Sequence, residues 1–411
     1  MTLEYRTIPE AELDHALDLH YLVFLEKSPE DESRAKHKEA LARCDLIGAY
    51  EGEDLVGLLA AHDLDLSVPG GSLPTAGVTF VSVAPTHRRR GVLSGMVDEL
   101  WRRCAEQRKP LAALWVSEAT IYGRYGFDPA THAYTVTLDA TYPLDLRIEP
   151  DGRPLRLVPF AGAPEVISTL HETARGERAG RVRRDDWWWR HLVLPETFEE
   201  DEDMSEPRVV TLGDPGEPPA GYVAYRTKSD DEGRGTLYVI ELEAESPQVA
   251  AALWRYLVSI DLVDKVRAWG RPLDDPLLLF AADRDQVDVT RQFPALWVRL
   301  ADVPAALEGR TWSAPLDLVL EVSDRGVPGN AGRYRVTAKP DGDVHRARVT
   351  RTDEAPDLTL DVRELAACYL GGTAPVELVR AGLLTEHRAG AATLFGLASR
   401  TELLPHTADE F

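Results

Sequence analysis

The residues whose types and spacing most clearly suggest a binding site form a strand, an arginine-rich turn and the start of a helix. The apolar run Val81–Val83 ends before Pro85, and three arginines with a glycine, Arg88–Gly91, follow before a helical pattern begins. Backbone N–H groups at a helix N-terminus have no partners within the helix, and the helix dipole adds partial positive charge there. The arrangement predicts a site for a phosphate or pyrophosphate, although a surface turn with three solvated arginines has the same pattern.

The helix after this turn is predicted by the spacing of its apolar residues. They recur at intervals of three and four, at Leu93, Met96, Val97, Leu100, Trp101 and Cys104. This spacing places them on one face of a helix. The glycine patterns of dinucleotide-binding folds and of nucleoside triphosphatases are both missing from the sequence. The predicted pyrophosphate site is therefore of another type, in which Gly91 lets the backbone turn or approach a ligand.

The run Val83–Leu93 reads V-x-P-x-x-R-R-x-G-x-L and resembles the acetyl-CoA motif of the GNAT superfamily of N-acetyltransferases. In that family, backbone amides of an Arg/Gln-x-x-Gly-x-Gly/Ala turn hold the CoA pyrophosphate; Leu93 stands where glycine or alanine is commonest. The runs Ile121–Phe127 and Leu296–Val303 and the terminal Phe411 resemble the Eis-like (enhanced intracellular survival) branch. The resemblance spans the whole chain and implies an acetyl-CoA-dependent N-acetyltransferase.

Composition restricts the class of protein further. The 411 residues carry a formal net charge of −23 at pH 7 and contain only three cysteines. The length predicts two or three domains. The acidic balance disfavours nucleic-acid binding and favours cationic ligands such as polyamines, although solubility explains it equally well. The cysteines are widely spaced and indicate neither a disulfide framework nor a metal site.

The same sequence argues against a membrane protein. No window approaches twenty uninterrupted apolar residues, and the run Met1–Arg6 lacks the basic-then-apolar layout of a signal peptide. We therefore expect a cytoplasmic protein. The resemblance to Eis-like enzymes also implies a homo-oligomer, a hexamer in that family.

We expect three domains, at residues 1–145, 146–297 and 298–411. In the first, a strand at Gly77–Val83, the helix described above and a strand at Leu111–Val116 form a right-handed parallel unit. By resemblance this is the catalytic GNAT domain. The fold class is therefore α/β for the first two domains and α+β for the third.

The second domain repeats the order of strand, long strand and helix, with Val249–Val258 as its helix. Its strand-to-helix turn, Glu243–Pro247, is acidic, and carboxylates there would repel a pyrophosphate. We expect a degenerate GNAT-like fold without a cofactor site, as in Eis-like proteins. The third domain is predicted as an antiparallel sheet with later helices, and it resembles the sterol-carrier-protein-like domain that ends Eis-like chains.

The resemblance implies which residues bind acetyl-CoA. The strand end would offer backbone donors, one of them to the thioester carbonyl, and the arginine turn would hold the pyrophosphate. The two residues after the second strand are expected on the cofactor as well. The full set of expected cofactor-binding residues is Val81, Ser82, Val83, Arg89, Arg90, Gly91, Val92, Leu93, Ser94, Ser117 and Glu118.

Acetyl transfer to an amine needs a proton donor for the departing thiolate and a base for the amine. Tyr122 matches the tyrosine that protonates the leaving sulfur in Eis-like enzymes, and Tyr125 is its rival. A phenol with an ordinary pKa of about 10 remains protonated at neutral pH. By the same resemblance, the base is the terminal carboxylate of Phe411. His87 precedes the pyrophosphate turn, so we expect it to face solvent.

Three functions remain open on the sequence. The first is acetylation of polycationic small molecules such as aminoglycosides, with Trp115 and Glu410 lining the amine pocket. The second is acetylation of protein lysines. The third is a lipid- or acyl-binding module with a vestigial first domain, which the arginine turn, Tyr122 and Phe411 disfavour. No metal is expected in any of them.

Overall fold

The computed structural model describes residues 3–27, 29, 31–196, 203–230 and 233–411, without the side chain of residue 31. The chain separates into two compact units. The first unit comprises Met1–Ala130, Leu296–Thr401 and Phe411, and the second comprises Thr131–Ala295 and Glu402–Glu410. Each unit therefore combines segments that are distant in sequence.

The N-terminal part of the first unit alternates strands and helices. Its elements are β1 (Leu3–Thr7), α1 (Leu13–Phe24), α2 (Asp31–Ala42), β2 (Asp45–Glu51), β3 (Asp54–Val68), β4 (Gly71–Val83), α3 (Val92–Gln107), β5 (Leu111–Leu114), α4 (Ala119–Tyr122) and β6 (Asp128–Pro129). The predicted helix and both predicted strands of the parallel unit are present. The helix continues three residues past Cys104, through good helix formers, until Arg108 adopts a left-handed conformation.

The second unit contains one sheet with helices. Its elements are β7 (His132–Asp139), β8 (Leu155–Val158), α5 (Ala163–Glu177), α6 (Asp186–Trp188), β9 (Arg208–Leu212), β10 (Gly221–Ser229), β11 (Gly235–Ala244), α7 (Pro247–Val258), β12 (Val263–Pro272), α8 (Leu277–Phe280) and β13 (Val287–Pro294). The strand order is β13-β7-β12-β11-β10-β9-β8. β11 and β12 are parallel, and α7 connects them, as in the first domain.

The C-terminal part of the first unit forms a second sheet with helices. Its elements are β14 (Trp297–Leu300), α9 (Val303–Gly309), β15 (Thr311–Trp312), β16 (Leu316–Ser323), β17 (Gly332–Asp341), β18 (Val344–Arg351), β19 (Leu358–Asp361), α10 (Val362–Tyr369), α11 (Pro375–Arg380), β20 (Leu384–Glu386) and α12 (Ala391–Ser399). The strands after β14 are ordered β15-β18-β17-β16-β19-β20. The expectation of an antiparallel sheet is wrong at one place, because β19 returns beside β16 in parallel.

The catalytic sheet has the order β1-β2-β3-β4-β5-β14-β6. β4 and β5 are parallel with α3 between them in sequence, and β14 lies antiparallel to β5. Alternate residues of each strand face opposite sides: Ile47 packs with Met96 of α3, while Leu46 packs with Leu17 of α1. Burial of each such side chain stabilises the fold by about 1.5–3 kcal/mol.

The α/β and α+β classes are confirmed. The domain divisions near residues 145 and 297 stay predictions. Two strands close to these divisions have long-range partners: β7 joins the second unit's sheet, and β14 joins the catalytic sheet.

Candidate active site

The C-terminal half of β4 has a strand partner on only one side. β4 pairs with β3 along its length, but its parallel pairing with β5 covers only Thr75–Val78. Just beyond this point the register of β4 against β3 shifts, and Phe80 adopts a left-handed φ of 49°. Bulges of this kind redirect a strand and often lie beside active sites. Among the described strands, none pairs with Val81–Val83 on the side away from β3.

The free side of β4 presents backbone amides. The amide of Ala84 donates to the carbonyl of Val56 on β3 at 2.9 Å. Successive residues of a strand direct their hydrogen-bonding groups to opposite sides, so the amides of Val83 and Val81 point away from β3. These two N–H groups are suited to bind a carbonyl oxygen, which is the role expected of this strand.

The turn after β4 ends in an uncapped helix start. Arg89 and Gly91 have left-handed φ angles of 62° and 84°, and Gly91 is the N-cap of α3. Within the described residues, no side chain caps this end and no carboxylate lies in the first helical turn. A Cβ at Gly91 would have no atom within 4 Å, so the space above the turn is open. The first amides of α3, Val92–Ser94, are therefore available to an anion.

The arginine cluster is partly engaged by one carboxylate. Arg90 Nη2 contacts Glu51 Oε1 at 2.6 Å, and His87 Nε2 lies 3.1 Å from Glu51 Oε2. These hydrogen bonds, from His87 first and then Arg90, lower the pKa of Glu51. The expectation that His87 faces solvent is wrong: its side chain is only 14% exposed because Glu51 holds it. Arg88 and Arg89 are exposed.

Tyr122 ends the single turn of α4 and is buried in the catalytic domain's core. Its ring meets Phe127 edge-on, with ring centroids 6.2 Å apart. Burial, with nearby Tyr125 and Glu118, raises the pKa of Tyr122 to about 12. No hydrogen bond in the described part of the chain engages its hydroxyl. A buried phenol that keeps its proton and whose hydroxyl has no competing partner is suited to protonate a thiolate.

Tyr125 contacts the start of α3 through its hydroxyl group. Its hydroxyl lies 3.1 Å from Ser94 Oγ, in the first turn of α3. Ser117 and Glu118 follow β5 and are exposed, and Glu118 is the N-cap residue of α4. Trp115, directly after β5, is half-buried.

The last residue of the chain packs on the catalytic sheet. The ring of Phe411 meets that of His62 on β3 at right angles, with centroids 6.1 Å apart. A Cβ on Gly77 of β4 would lie 3.1 Å from Phe411 Cε2, so the glycine makes room for the ring. Glu410 is exposed and belongs to the second unit. Phe411 therefore packs against β4, the strand that is expected to bind the cofactor, whereas Glu410 is grouped with the second unit.

Sequence reasoning missed three side chains at this site. Glu51 holds the arginine turn, and His62 supports Phe411. His20 Nδ1 lies 3.2 Å from Ser82 Oγ, and burial, then the charge of His37, lowers the pKa of His20 to about 4. His20 had a readable signal, because it lies seven residues after Leu13 on the apolar face of α1. Glu51 had none, because a hairpin-turn glutamate is usually solvated.

Comparison with known families agrees with this geometry. Models of the acetyltransferase (GNAT) domain match residues 4–130 and 180–300, and a sterol carrier protein domain model matches residues 303–405. Fold and site together define a GNAT-type N-acetyltransferase that carries a second GNAT-type domain and a C-terminal sterol-carrier-like domain.

Individual relatives narrow the class. An N-acetyltransferase of Streptomyces avermitilis is 40% identical over 363 residues, covering 86% of this chain and 87% of that protein. N-acetyltransferase Eis of Mycobacterium tuberculosis is 34% identical over 379 residues, covering 89% of this chain and 88% of its own. The crystal structure of Eis1 from Mycobacterium abscessus matches with a TM-score of 0.85, 31% identity and 100% coverage of both chains. The chain belongs to the Eis family of N-acetyltransferases.

GNAT acetyltransferases use acetyl-CoA, and the residues present suit it. The uncapped amides of α3 and the open space over Gly91 fit a pyrophosphate, and the free amides of β4 fit a thioester carbonyl. Across the described residues, no three His, Cys, Asp or Glu side chains gather as a metal site. In that same part of the chain, no helix is both long and apolar enough to cross a membrane.

Proposed function

We propose that this enzyme acetylates primary amines of polycationic small molecules, as an aminoglycoside-type acetyltransferase. The observation that carries the proposal is the packing of Phe411 over Gly77 on β4, the strand that bears the free amides of Val81 and Val83. This packing of the ring supports a role for the same residue's carboxylate at the proposed acetyl site. The net charge of −23 supports a cationic substrate, because an acidic field raises the local concentration of cations.

Acetyl-CoA supplies an acetyl group activated as a thioester. In our proposal the amides of Val92–Ser94 and the side chain of Arg89 hold its pyrophosphate. Arg90, held by its ion pair with Glu51, completes the turn around it. The amides of β4 bind the thioester oxygen. Ser117 and Glu118 line the remaining cofactor contact.

The transfer moves one acetyl group and two protons. The amine nitrogen bonds to the acetyl carbon, the carbon–sulfur bond breaks, and CoA leaves as a thiolate. The terminal carboxylate of Phe411 accepts the amine's proton, directly or through water, and the Tyr122 phenol protonates the sulfur. Trp115 and Glu410 bind the cationic part of the substrate.

The proposal includes assembly and location. We expect a homo-hexamer in the cytoplasm, with domain divisions near residues 145 and 297. Size-exclusion chromatography with light scattering tests the hexamer: a molar mass near six times 45.5 kDa supports it, and a monomeric mass contradicts it.

The first experiment measures CoA release from acetyl-CoA with aminoglycosides, polyamines and lysine-containing peptides, and records product masses. Mass gains of one or more acetyl groups on the small amines support the proposal. Acetylation of peptides alone would replace it with the protein-lysine alternative. Acetyl-CoA binding without turnover on any amine would contradict both.

Variants of Tyr122 and Phe411 test the two proposed roles. Tyr122→Phe is expected to lower kcat by about a hundredfold or more, with an unchanged KM for acetyl-CoA, while Tyr125→Phe preserves kcat. Converting the terminal carboxylate of Phe411 to an amide keeps the ring and removes the proposed base, so kcat should fall. Phe411→Ala keeps a carboxylate but removes the ring, and so shows how much of kcat depends on the packing of the ring.

The pH dependence of kcat follows from the raised pKa of Tyr122. A phenol with a pKa of about 12 holds its proton below that pH, so kcat shows no alkaline decline up to about pH 10. A decline centred between pH 8 and pH 9 in the wild type, absent from Tyr122→Phe, would assign a different pKa to the acid and contradict this role.

A further inference from the structure

Tyr122 lies on a short segment that arginines from later elements contact. We call residues 122–128 the tyrosine loop. It begins at the end of a single helical turn and includes the short 3-10 helix Gly123–Tyr125, with a further backbone hydrogen bond from Gly126 N to Gly123 O at 3.1 Å. A proton donor must keep a fixed distance from the sulfur it protonates. Contacts from other elements add to this turn in fixing the position of Tyr122.

Arg299 of β14 makes the first of these contacts. Its Nε donates to the carbonyl of Tyr125 at 2.9 Å. Gly126 follows with a left-handed φ of 86°, and a Cβ there would lie 2.5 Å from Arg299 Nε. The guanidinium thus occupies the space that a side chain at position 126 would need, and it meets the loop at its tightest bend.

Asp324, in the sterol-carrier-like domain, holds that guanidinium. Arg299 Nη2 contacts Asp324 Oδ2 at 2.6 Å, and the two side chains are 0% and 1% exposed. The carboxylate also accepts the amides of Gly326 at 3.0 Å and Val327 at 2.9 Å, and Asn330 Nδ2 donates to it at 3.0 Å. A buried ion pair with its remaining acceptors satisfied has one favourable geometry, so Arg299 is fixed from the third domain.

Arg363 of α10 makes a second contact with the loop. Its Nε donates to Asp128 Oδ1 at 2.9 Å, at the loop's end. Its Nη1 lies 2.9 Å from the place of a Cβ on Gly123, the residue directly after Tyr122. The Arg363 side chain is 45% exposed, so it can be changed without opening the core.

We infer that Arg299, Asp324 and Arg363 are positioning residues for Tyr122. The sterol-carrier-like domain thereby takes part in acetyl transfer, by setting the place of the acid rather than by binding lipid. This inference rests on the proposed role of Tyr122. It also assigns a role to Arg299 of the Leu296–Val303 run, which has none in the proposed mechanism.

A double-mutant cycle tests the inference through Arg363 and Tyr122. Arg363→Gln is expected to lower kcat by about tenfold, because a displaced acid loses geometry while the cofactor site is untouched. The KM for acetyl-CoA should be unchanged, and Arg363→Lys should recover part of kcat by restoring a cation beside Asp128. In a Tyr122→Phe background, Arg363→Gln should cost nothing further, since the group it positions is gone.

The matched control is Arg335→Gln, in the same domain. Arg335 is 42% exposed and pairs with Asp317 and Glu354. Among the described residues it contacts none of the tyrosine loop, so its replacement should leave kcat unchanged. Arg299→Lys keeps the buried charge but loses the Nε donor, and should reproduce the loss seen with Arg363→Gln.

The outcomes separate this inference from the proposed function. An equal loss of kcat from Arg363→Gln in both backgrounds would overturn the positioning role while leaving Tyr122 as the acid. Full activity of Tyr122→Phe alone would overturn the acid and the inference together. Thermal unfolding of each variant shows whether a loss of kcat reflects loss of the fold instead, and a kcat loss that tracks unfolding would also overturn the positioning role.

Discussion

β4 and β11 have equivalent places in the two GNAT-type domains, and each leads into a helix, α3 and α7. In both, the parallel neighbour pairs with only the first part of the strand, Thr75–Val78 on β4 and Gly235–Val239 on β11. Within the described residues, neither strand pairs with its parallel neighbour beyond these positions, and we call the unpaired side of each strand end the wedge. The two domains share this backbone feature and differ in what the sequence places around it.

The starts of the two helices have opposite capping. At α3, Gly91 leaves the first amides without a side-chain acceptor. At α7, Ser246 Oγ accepts the amide of Val249 at 3.3 Å, and Pro247 has no N–H to offer. The anion-binding capacity of a helix N-terminus is therefore open in the first domain and reduced in the second, where one amide is capped and proline lacks another.

Buried charges line the wedge beside β11, around a cavity of about 360 Å³. Arg184 Nη2 contacts Glu241 Oε2 at 2.7 Å, and Arg184 Nε contacts Asp409 Oδ1 at 2.7 Å. Tyr222 donates its hydroxyl to Glu241. Burial alone would raise the pKa of Glu241, but Arg184 and then His171 hold it well below its ordinary value. The comparison teaches that one backbone arrangement can leave a helix start open or can be lined by buried ion pairs, depending on a few side chains.

The largest expected effect comes from breaking the buried ion pairs of Arg184 with Glu241 and Asp409. Arg184→Met should lower the free energy of unfolding by about 3–5 kcal/mol, because Glu241 and Asp409 would remain as buried carboxylates without their cation. Urea denaturation measures this. Arg190→Met, which removes an exposed paired arginine, should change stability by less than about 0.5 kcal/mol.

Acid should reveal the same ion pair. The folded-state pKa of Glu241 lies below its ordinary value of 4.5, so its contribution to stability is present above pH 4.5 and is lost as pH falls below that value. Arg184→Met should lose this part of the acid sensitivity. The affinity of the folded variant for acetyl-CoA should be unchanged. A matching fall in affinity would contradict the view that these ion pairs do not affect cofactor binding in the first domain.

The next largest effect is expected from placing a carboxylate in the turn before α3, as in the acidic turn before α7. Gly91→Asp should raise the Kd for acetyl-CoA by about a hundredfold, because a carboxylate beside a phosphate costs several kcal/mol. Gly91→Asn is the control, since asparagine also tolerates the left-handed backbone but carries no charge. Calorimetric titration measures both; equal weakening by Asp and Asn would show that shape, not charge, decides binding.

The sequence predicted the parts of this comparison that are local. The spacing of the α3 face, the strand before it and the acidic turn before α7 are each set by neighbouring residues, and each is present as expected. The uncapped start of α3 could be anticipated because a glycine before a helical pattern is visible over a few residues. Tyr122, Phe411 and the cofactor-binding residues remain proposals.

The long-range parts could not be read in the same way. β14 pairs with β5 although Trp297 and Leu114 are far apart in sequence, and no local pattern specifies such a partner. The Glu51 contact with Arg90 and the Asp324 contact with Arg299 likewise depend on which elements pack together. Charged residues in turns have many solvated alternatives, so only the folded chain selects these pairs.

The smallest expected effect comes from uncapping the second helix. Ser246→Ala removes the acceptor for the Val249 amide and should lower stability by about 1 kcal/mol, or about 2–4 °C in Tm. Ser259→Ala, at the other end of α7, removes a bond to the Tyr256 carbonyl and is the matched control. Scanning calorimetry measures both variants.

Exposing this amide should not create a second acetyl-CoA site. Pro247 still lacks an N–H, and the carboxylates of Glu243 and Glu245 remain close in sequence. Calorimetric titration of Ser246→Ala should therefore fit one acetyl-CoA per chain, as in the wild type. A second binding event would mean that the Ser246 hydroxyl alone prevents cofactor binding at the β11–α7 turn. The buried charges beside β11 would then not exclude a cofactor.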